Sequence, residues 1–134
     1  MRPLLVTALI ITAAVLFFSC EPPFDDVSWT EVTVFYNGWT SRTGFEPVSY
    51  CKDAQGFVHI RGVAEDTDAL SANSSIFHLP EGCRPAYNTA FSVVVFSGGT
   101  EAATLWVYAS GTVTVYYSAN VTYTYFGEII FYAG

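Results

Sequence analysis

The spacing of turn residues constrains this chain more than any other feature. From residue 29 onward no stretch keeps the three-to-four-residue apolar period of a helix. Short β-branched and aromatic runs recur instead, separated by Gly, Pro, Asn, Asp and Ser. The pattern predicts strands near 29–36, 47–52, 57–63, 75–79, 88–96, 102–108, 112–117 and 121–132. Between them, Asn37-Gly38, Asp53 to Gly56, Pro80-Glu81-Gly82, Ser97-Gly98-Gly99 and Ser110-Gly111 supply residues that tolerate positive φ. Glu65 to Ser74 reads as one longer polar loop. This cadence implies an all-β fold: an antiparallel, jelly-roll-like β-sandwich of about eight strands.

Alternation in the last third gives the strands a face. In Thr112-Val113-Thr114-Val115-Tyr116-Tyr117 the valines point one way and the threonines the other, as on a half-buried strand. Val121, Tyr123 and Tyr125 repeat the pattern against Thr122 and Thr124, and Gly127 marks a bulge before Glu128 to Tyr132. Aromatic residues make up 17% of the chain, nine of them tyrosines. A sandwich of this size cannot bury them all, so some must form an exposed or intersubunit surface.

The first residues set the compartment. Met1-Arg2 carries one positive charge, and Leu4 to Phe18 is a 15-residue run, apolar apart from Thr7 and Thr12. That is short of the roughly 20 residues of a membrane span and suits the helical apolar region of a secretory signal. Ser19-Cys20 follows, and the junction resembles the lipobox of bacterial lipoproteins, although Phe17 and Phe18 stand where an aliphatic and a small residue are common. The resemblance implies cleavage after residue 19, lipidation of Cys20 and a membrane partner through that anchor. Residues 1–19 are then a signal peptide, 20–28 an acidic, proline-containing tether, and 29–134 a single domain. The expected location is exported and lipid-anchored, at the outer membrane or cell surface. Without residues 1–19, four basic residues face twelve acidic ones, a net charge of −8. Binding to nucleic acid would need the opposite sign, so that partner is excluded.

Several blocks in fixed order resemble one domain family. "NGWTSRTGFEPVSYCKDAQGFVHIRG", "IFHLPEGCRPA", "YASGTVTV" and "YFGEIIF" are similar to the C-terminal knob of phage tail-fibre and minor tail (receptor-binding) proteins. The similarity spans about residues 29–132, nearly the whole of the chain beyond the signal. It implies a β-sandwich, commonly a homotrimer, that touches saccharide or protein on a host surface. Cys51 and Cys83 stand where that pattern has arginine and tyrosine. The paired departure, in an exported chain whose third cysteine is the lipidation candidate, implies a Cys51–Cys83 disulfide. Closing a loop of about 33 residues would contribute roughly 3–4 kcal/mol in the chain-entropy picture.

Other candidates weigh less. His59 and His78 are the only histidines and fit neither a metal nor a triad spacing; His59 reads as a strand residue and His78 as solvent-facing. Glu65-Asp66-Thr67-Asp68 lacks the ligand spacing and glycine of a calcium loop and reads as a solvated acidic loop. No G-x-S-x-G, H-E-x-x-H or phosphate-loop motif occurs, and the reading is of a non-enzyme without cofactor. Trp39 reads as a packing residue beside a turn. Trp106, Tyr108, Tyr116, Tyr117, Tyr123 and Tyr125 lie on late, neighbouring strands. Their flat faces suit sugar C–H surfaces, so they form the candidate ligand platform. The same residue types also build cores and subunit interfaces, and for any single one packing is the stronger expectation. Mass spectrometry of the exported protein should find acylated Cys20 as first residue and Cys51 joined to Cys83. Plain cleavage before residue 20, or two free thiols after oxidising export, would undo the corresponding expectation.

Overall fold

A computed structural model describes residues 27–68 and 73–134. The expected signal, Cys20 and most of the tether lie outside the described residues. The described chain holds eleven strands and no helix: β1 (Thr30–Glu31), β2 (Trp39–Ser41), β3 (Ser49–Lys52), β4 (Phe57–Arg61), β5 (Val63–Asp66), β6 (Asn73–His78), β7 (Thr89–Phe96), β8 (Thr100–Val107), β9 (Thr112–Tyr116), β10 (Tyr123–Tyr125) and β11 (Ile129–Tyr132). They form a four-stranded sheet in the order β1-β3-β4-β11 and a seven-stranded sheet in the order β2-β5-β10-β7-β8-β9-β6. All pairings are antiparallel, as in the all-β sandwich expected from the turn spacing.

The core follows from the alternation. Val113 and Val115 of β9, Leu105 and Val107 of β8, and Val93 and Val95 of β7 are buried, while Thr112, Thr114, Thr104 and Val94 between them face outward. The small sheet contributes Val58, Ile60, Ile129 and Phe131. Aromatic rings join the layers: Phe91 of β7 meets Phe131 of β11 at 6.3 Å between centroids, and Phe77 of β6 meets Phe126 at 6.0 Å. Trp39 is buried as a packing residue, and its indole N–H donates to Ser74 Oγ at 2.8 Å.

Two of the expected long strands divide. The run 57–63 breaks at Gly62 into β4 of the small sheet and β5 of the large one. The run 121–132 breaks near Gly127 into β10 of the large sheet and β11 of the small one, so this glycine marks a change of layer rather than a bulge. Because β4 pairs with β11 and β5 with β10, the two bends form a single corner, fastened by the Phe126 amide donating to Gly62 O at 3.1 Å. Strands that switch layers at a sharp bend make such corners. Gly62 takes φ 105°, and an added Cβ would sit 2.5 Å from Pro47 O. Side chains are excluded there on both counts.

The acidic stretch also differs from its expected solvated loop. Glu65 and Asp66 end β5, and Asp66 is buried, its Oδ1 accepting from the Asp68 amide at 3.0 Å. β-propensity could not reveal this, because carboxylates are poor strand formers by composition. Gly62→Ala should lower unfolding stability by about 3–5 kcal/mol. Gly98→Ala, at φ 72° with nothing near its Cβ, should cost only about 1–2 kcal/mol. Urea denaturation of both variants measures the difference, and equal losses would contradict the corner's role.

Candidate binding surface

The hairpin of β3 and β4 is organised by Asp53. Its Oδ1 accepts from the amides of Gln55 (3.0 Å) and Phe57 (2.9 Å), and Gly56 at φ 92° completes the turn. Asp53 Oδ2 lies 2.9 Å from His59 Nε2. The His59 bond, helped by the Phe57 and Gln55 amides, holds the Asp53 carboxyl below the usual carboxylate range. His59 Nδ1 faces Glu128 at 3.9 Å, and its ring meets Trp29 edge-on at 6.4 Å between centroids. Arg61 lies over the Trp29 ring at 3.7 Å and pairs with Glu46 at 3.0 Å. Trp29, the residue before β1, thus covers the His59–Arg61 part of the small sheet's outer face.

Cys51 lies directly across from His59 on that face and is buried. A cysteine, a histidine and an aspartate therefore meet in space. Both ring nitrogens address carboxylates, however, so neither addresses the thiol as a base would. Burial pushes the Cys51 thiol up; the His59 amide and Arg61 oppose the shift, while Asp53 and Cys83 add to it. The group is a packed, inert thiol. Cys83 sits in the turn after β6 and packs against the core, and the turn is tied to β3 by Lys52 Nζ donating to Gly82 O at 2.9 Å. The bridge expected between them is not formed in the structure: both are free thiols. The reason is facing. Tyr50, next to Cys51, packs against the core beside Cys83, so strand alternation turns Cys51 to the other face.

Five of the six aromatic candidates share one surface, the outer face of the large sheet. Trp106 of β8 and Tyr108, the residue after that strand, stack at 6.1 Å and 22°. Trp106 lies opposite Thr114, and Tyr116, 56% exposed, lies opposite Thr104, so the two aromatics are diagonal neighbours across β8 and β9. Thr104, Thr114 and Ser75 add hydroxyls, the last two bonded to each other at 3.1 Å. Two strands away, Tyr123 and Tyr125 of β10 face the same side, Tyr123 against Phe96 of β7 at 5.6 Å. Tyr117 is the exception and packs against the core. His78 is exposed, as expected, and lies 3.3 Å from Thr112 Oγ1 and 3.3 Å from Arg84 Nη2.

The sequence reading missed two features of the surface. One is Arg42, whose guanidinium lies among Phe45, Tyr123 and Tyr125; a lone arginine between two turns carries no pattern. The other is an apolar trough between β7 and β11. One section, about 460 Å³, is lined by residues including Pro85, Tyr87, Phe91, Ile130 and Tyr132. The next, about 280 Å³, runs from Phe91 to Val94 and Glu128. Tyr87 is 82% exposed there, and Val94, Ile130 and Tyr132 are exposed beside it.

No family model matches the chain, and no curated protein matches it. A solved structure does: the head domain of lactococcal phage bIL170, described among the receptor-binding domains of lactococcal phages. The two share a fold. The match has a TM-score of 0.50 at 13% identity and covers 81% of this chain and 100% of the phage domain. At that identity the likeness concerns architecture, and it agrees with the knob-like sandwich that the sequence blocks implied.

The carboxyl of Asp53 yields a signed prediction. Its folded value lies below its unfolded value of about 3.9, so its contribution is fully present above about pH 4 and is lost as pH falls through the folded value. Stability of the protein should therefore decline below pH 4 more steeply than that of Asp53→Asn. Urea midpoints collected from pH 7 to pH 2 test this, and parallel curves would contradict it.

Proposed function

We propose that this protein is a non-enzymatic recognition module, held at a cell surface by a lipid on Cys20, that binds glycan or protein as a phage receptor-binding head does. The observation that carries the reading is the gathering of Trp106, Tyr108, Tyr116, Tyr123 and Tyr125 on one outer face of the large sheet. Aromatic faces ringed by threonine and serine hydroxyls match the alternating C–H and O–H surface of a pyranose, and Trp and Tyr present that area with little conformational entropy to lose. The fold shared with a phage receptor-binding head domain supports the same class. The acidic tether after Cys20 would carry the domain off the membrane.

One observation favours a second reading, a homotrimeric structural coat. Tyr87, Ile130, Tyr132 and Phe57 make an exposed apolar belt along β11, an edge strand of the small sheet. Apolar belts of this kind mark association surfaces. Glycan-array binding of the full chain in detergent separates the two. Trp106→Ala and Tyr116→Ala should each weaken a positive signal about tenfold or more while leaving the urea midpoint nearly unchanged. A stable trimer by light scattering with no glycan bound would favour the coat.

A further inference from the structure

Four cations are found among the described residues, and three have their charge answered by acceptors. Arg61 pairs with Glu46. Lys52 donates to Gly82 O and Gly134 O at 2.9 and 2.8 Å. Arg84 donates from Nε to Leu79 O at 2.9 Å and lies beside His78. Arg42 differs. Its Cζ lies 3.7 Å from the centre of the Tyr123 ring and 4.2 Å from that of Phe45. Its Nη1 donates to Tyr125 OH at 3.0 Å, and among the described residues no carboxylate comes within 4 Å of it. A chain with formal net charge −7 has carboxylates to spare, including Glu65, which lies opposite Tyr123 across the β5–β10 pair. Among the described residues none is spent on this guanidinium.

The surroundings hold Arg42 in place. Its amide donates to Val63 O at 2.9 Å, its carbonyl accepts from the Phe45 amide at 3.3 Å, and Phe45 meets Tyr125 edge-on at 6.4 Å. The guanidinium is thus clamped between rings, and among the described residues its side chain makes one hydrogen bond, to Tyr125 OH. It also covers one face each of the Phe45 and Tyr123 rings. What this end of the outer face presents is a fixed, planar fork of donors, the geometry that carboxylates and phosphates match in bidentate fashion.

We infer that Arg42 is a specificity residue that selects acidic saccharides, receiving a carboxylate or phosphate group while the rest of the sugar lies along the aromatic face. The inference rests on the reading of that face as the recognition surface and adds the chemical class of the ligand. The net negative charge slows the approach of any anion at long range. The selection therefore acts at contact, where a pre-ordered guanidinium loses little freedom on binding.

The test is titration of the full chain in detergent with methyl glucuronide, glucose 6-phosphate and methyl glucoside, followed by the NMR signals of Arg42 Nε–H and the tyrosine rings. One or both acidic sugars should shift the Arg42 signal and bind at least about tenfold more tightly than the glucoside, with the advantage falling as salt rises. Which of the two leads identifies carboxylate or phosphate as the group received. Arg42→Gln should abolish the advantage and leave glucoside binding in place. Arg42→Lys, which keeps the charge and the packing of the stem, should retain only part of it. Equal binding of all three sugars, or an acidic preference that survives Arg42→Gln, overturns the inference while leaving the outer face as a binding surface. Failure of all three to bind overturns the inference, and the glycan array then decides the reading of the outer face by itself.

Discussion

The Phe126–Gly62 hydrogen bond fastens the corner through which the chain joins the two sheets. Two adjacent antiparallel strands leave one sheet and enter the other there, β4 into β5 and β10 into β11. A chain of L-residues resists so sharp a bend, and Gly62 admits it because it has no Cβ to strike Pro47. Everything beyond the corner is ordinary pleated-sheet chemistry: valines inward, threonines outward, and phenylalanines spanning the gap between layers. Beyond the corner, the register of β10 on β7 decides that Tyr123 and Tyr125 share a surface with β8 and β9.

Much of this was legible in the sequence, for reasons that can be named. Period-two alternation in 112–117 set Val113 and Val115 against Thr112 and Thr114, and the valines are the buried face. Asn37 and Gly38 were recognisable as a turn, and both take positive φ. Alternation cannot tell a straight strand from one that changes layers, since side chains still alternate through a bend. That is why 57–63 and 121–132 each read as one element. Short strands escaped for a related reason: Trp39–Ser41 has too few residues to establish any period.

The candidate surface was readable residue by residue but not as a constellation. Trp106, Tyr108, Tyr116, Tyr123 and Tyr125 each stood out as aromatics on late strands; Tyr117 stood out equally and belongs to the core. Nothing in the local sequence separates Tyr116 from Tyr117 except parity, which becomes informative only once β9 is known to end at Tyr116. Arg42 and Cys51 show a deeper limit. Their environments come from residues distant in sequence, Tyr123 and Tyr125 for the first and the Trp29-capped face of the small sheet for the second.

Trp29 has a consequence in mechanics. A pull on the chain ahead of residue 27, as a membrane tether would exert, enters the domain first at this residue. It meets the Arg61–Trp29 stack, then the two-residue pairing of β1 with β3, then the Val32 amide on Val48 O. All three lie at the margin of the four-stranded sheet, in the opposite layer from the aromatic face of the seven-stranded one. Load is therefore taken up by a small sacrificial edge. The surface that faces outward can keep its shape under tension until that edge has peeled away.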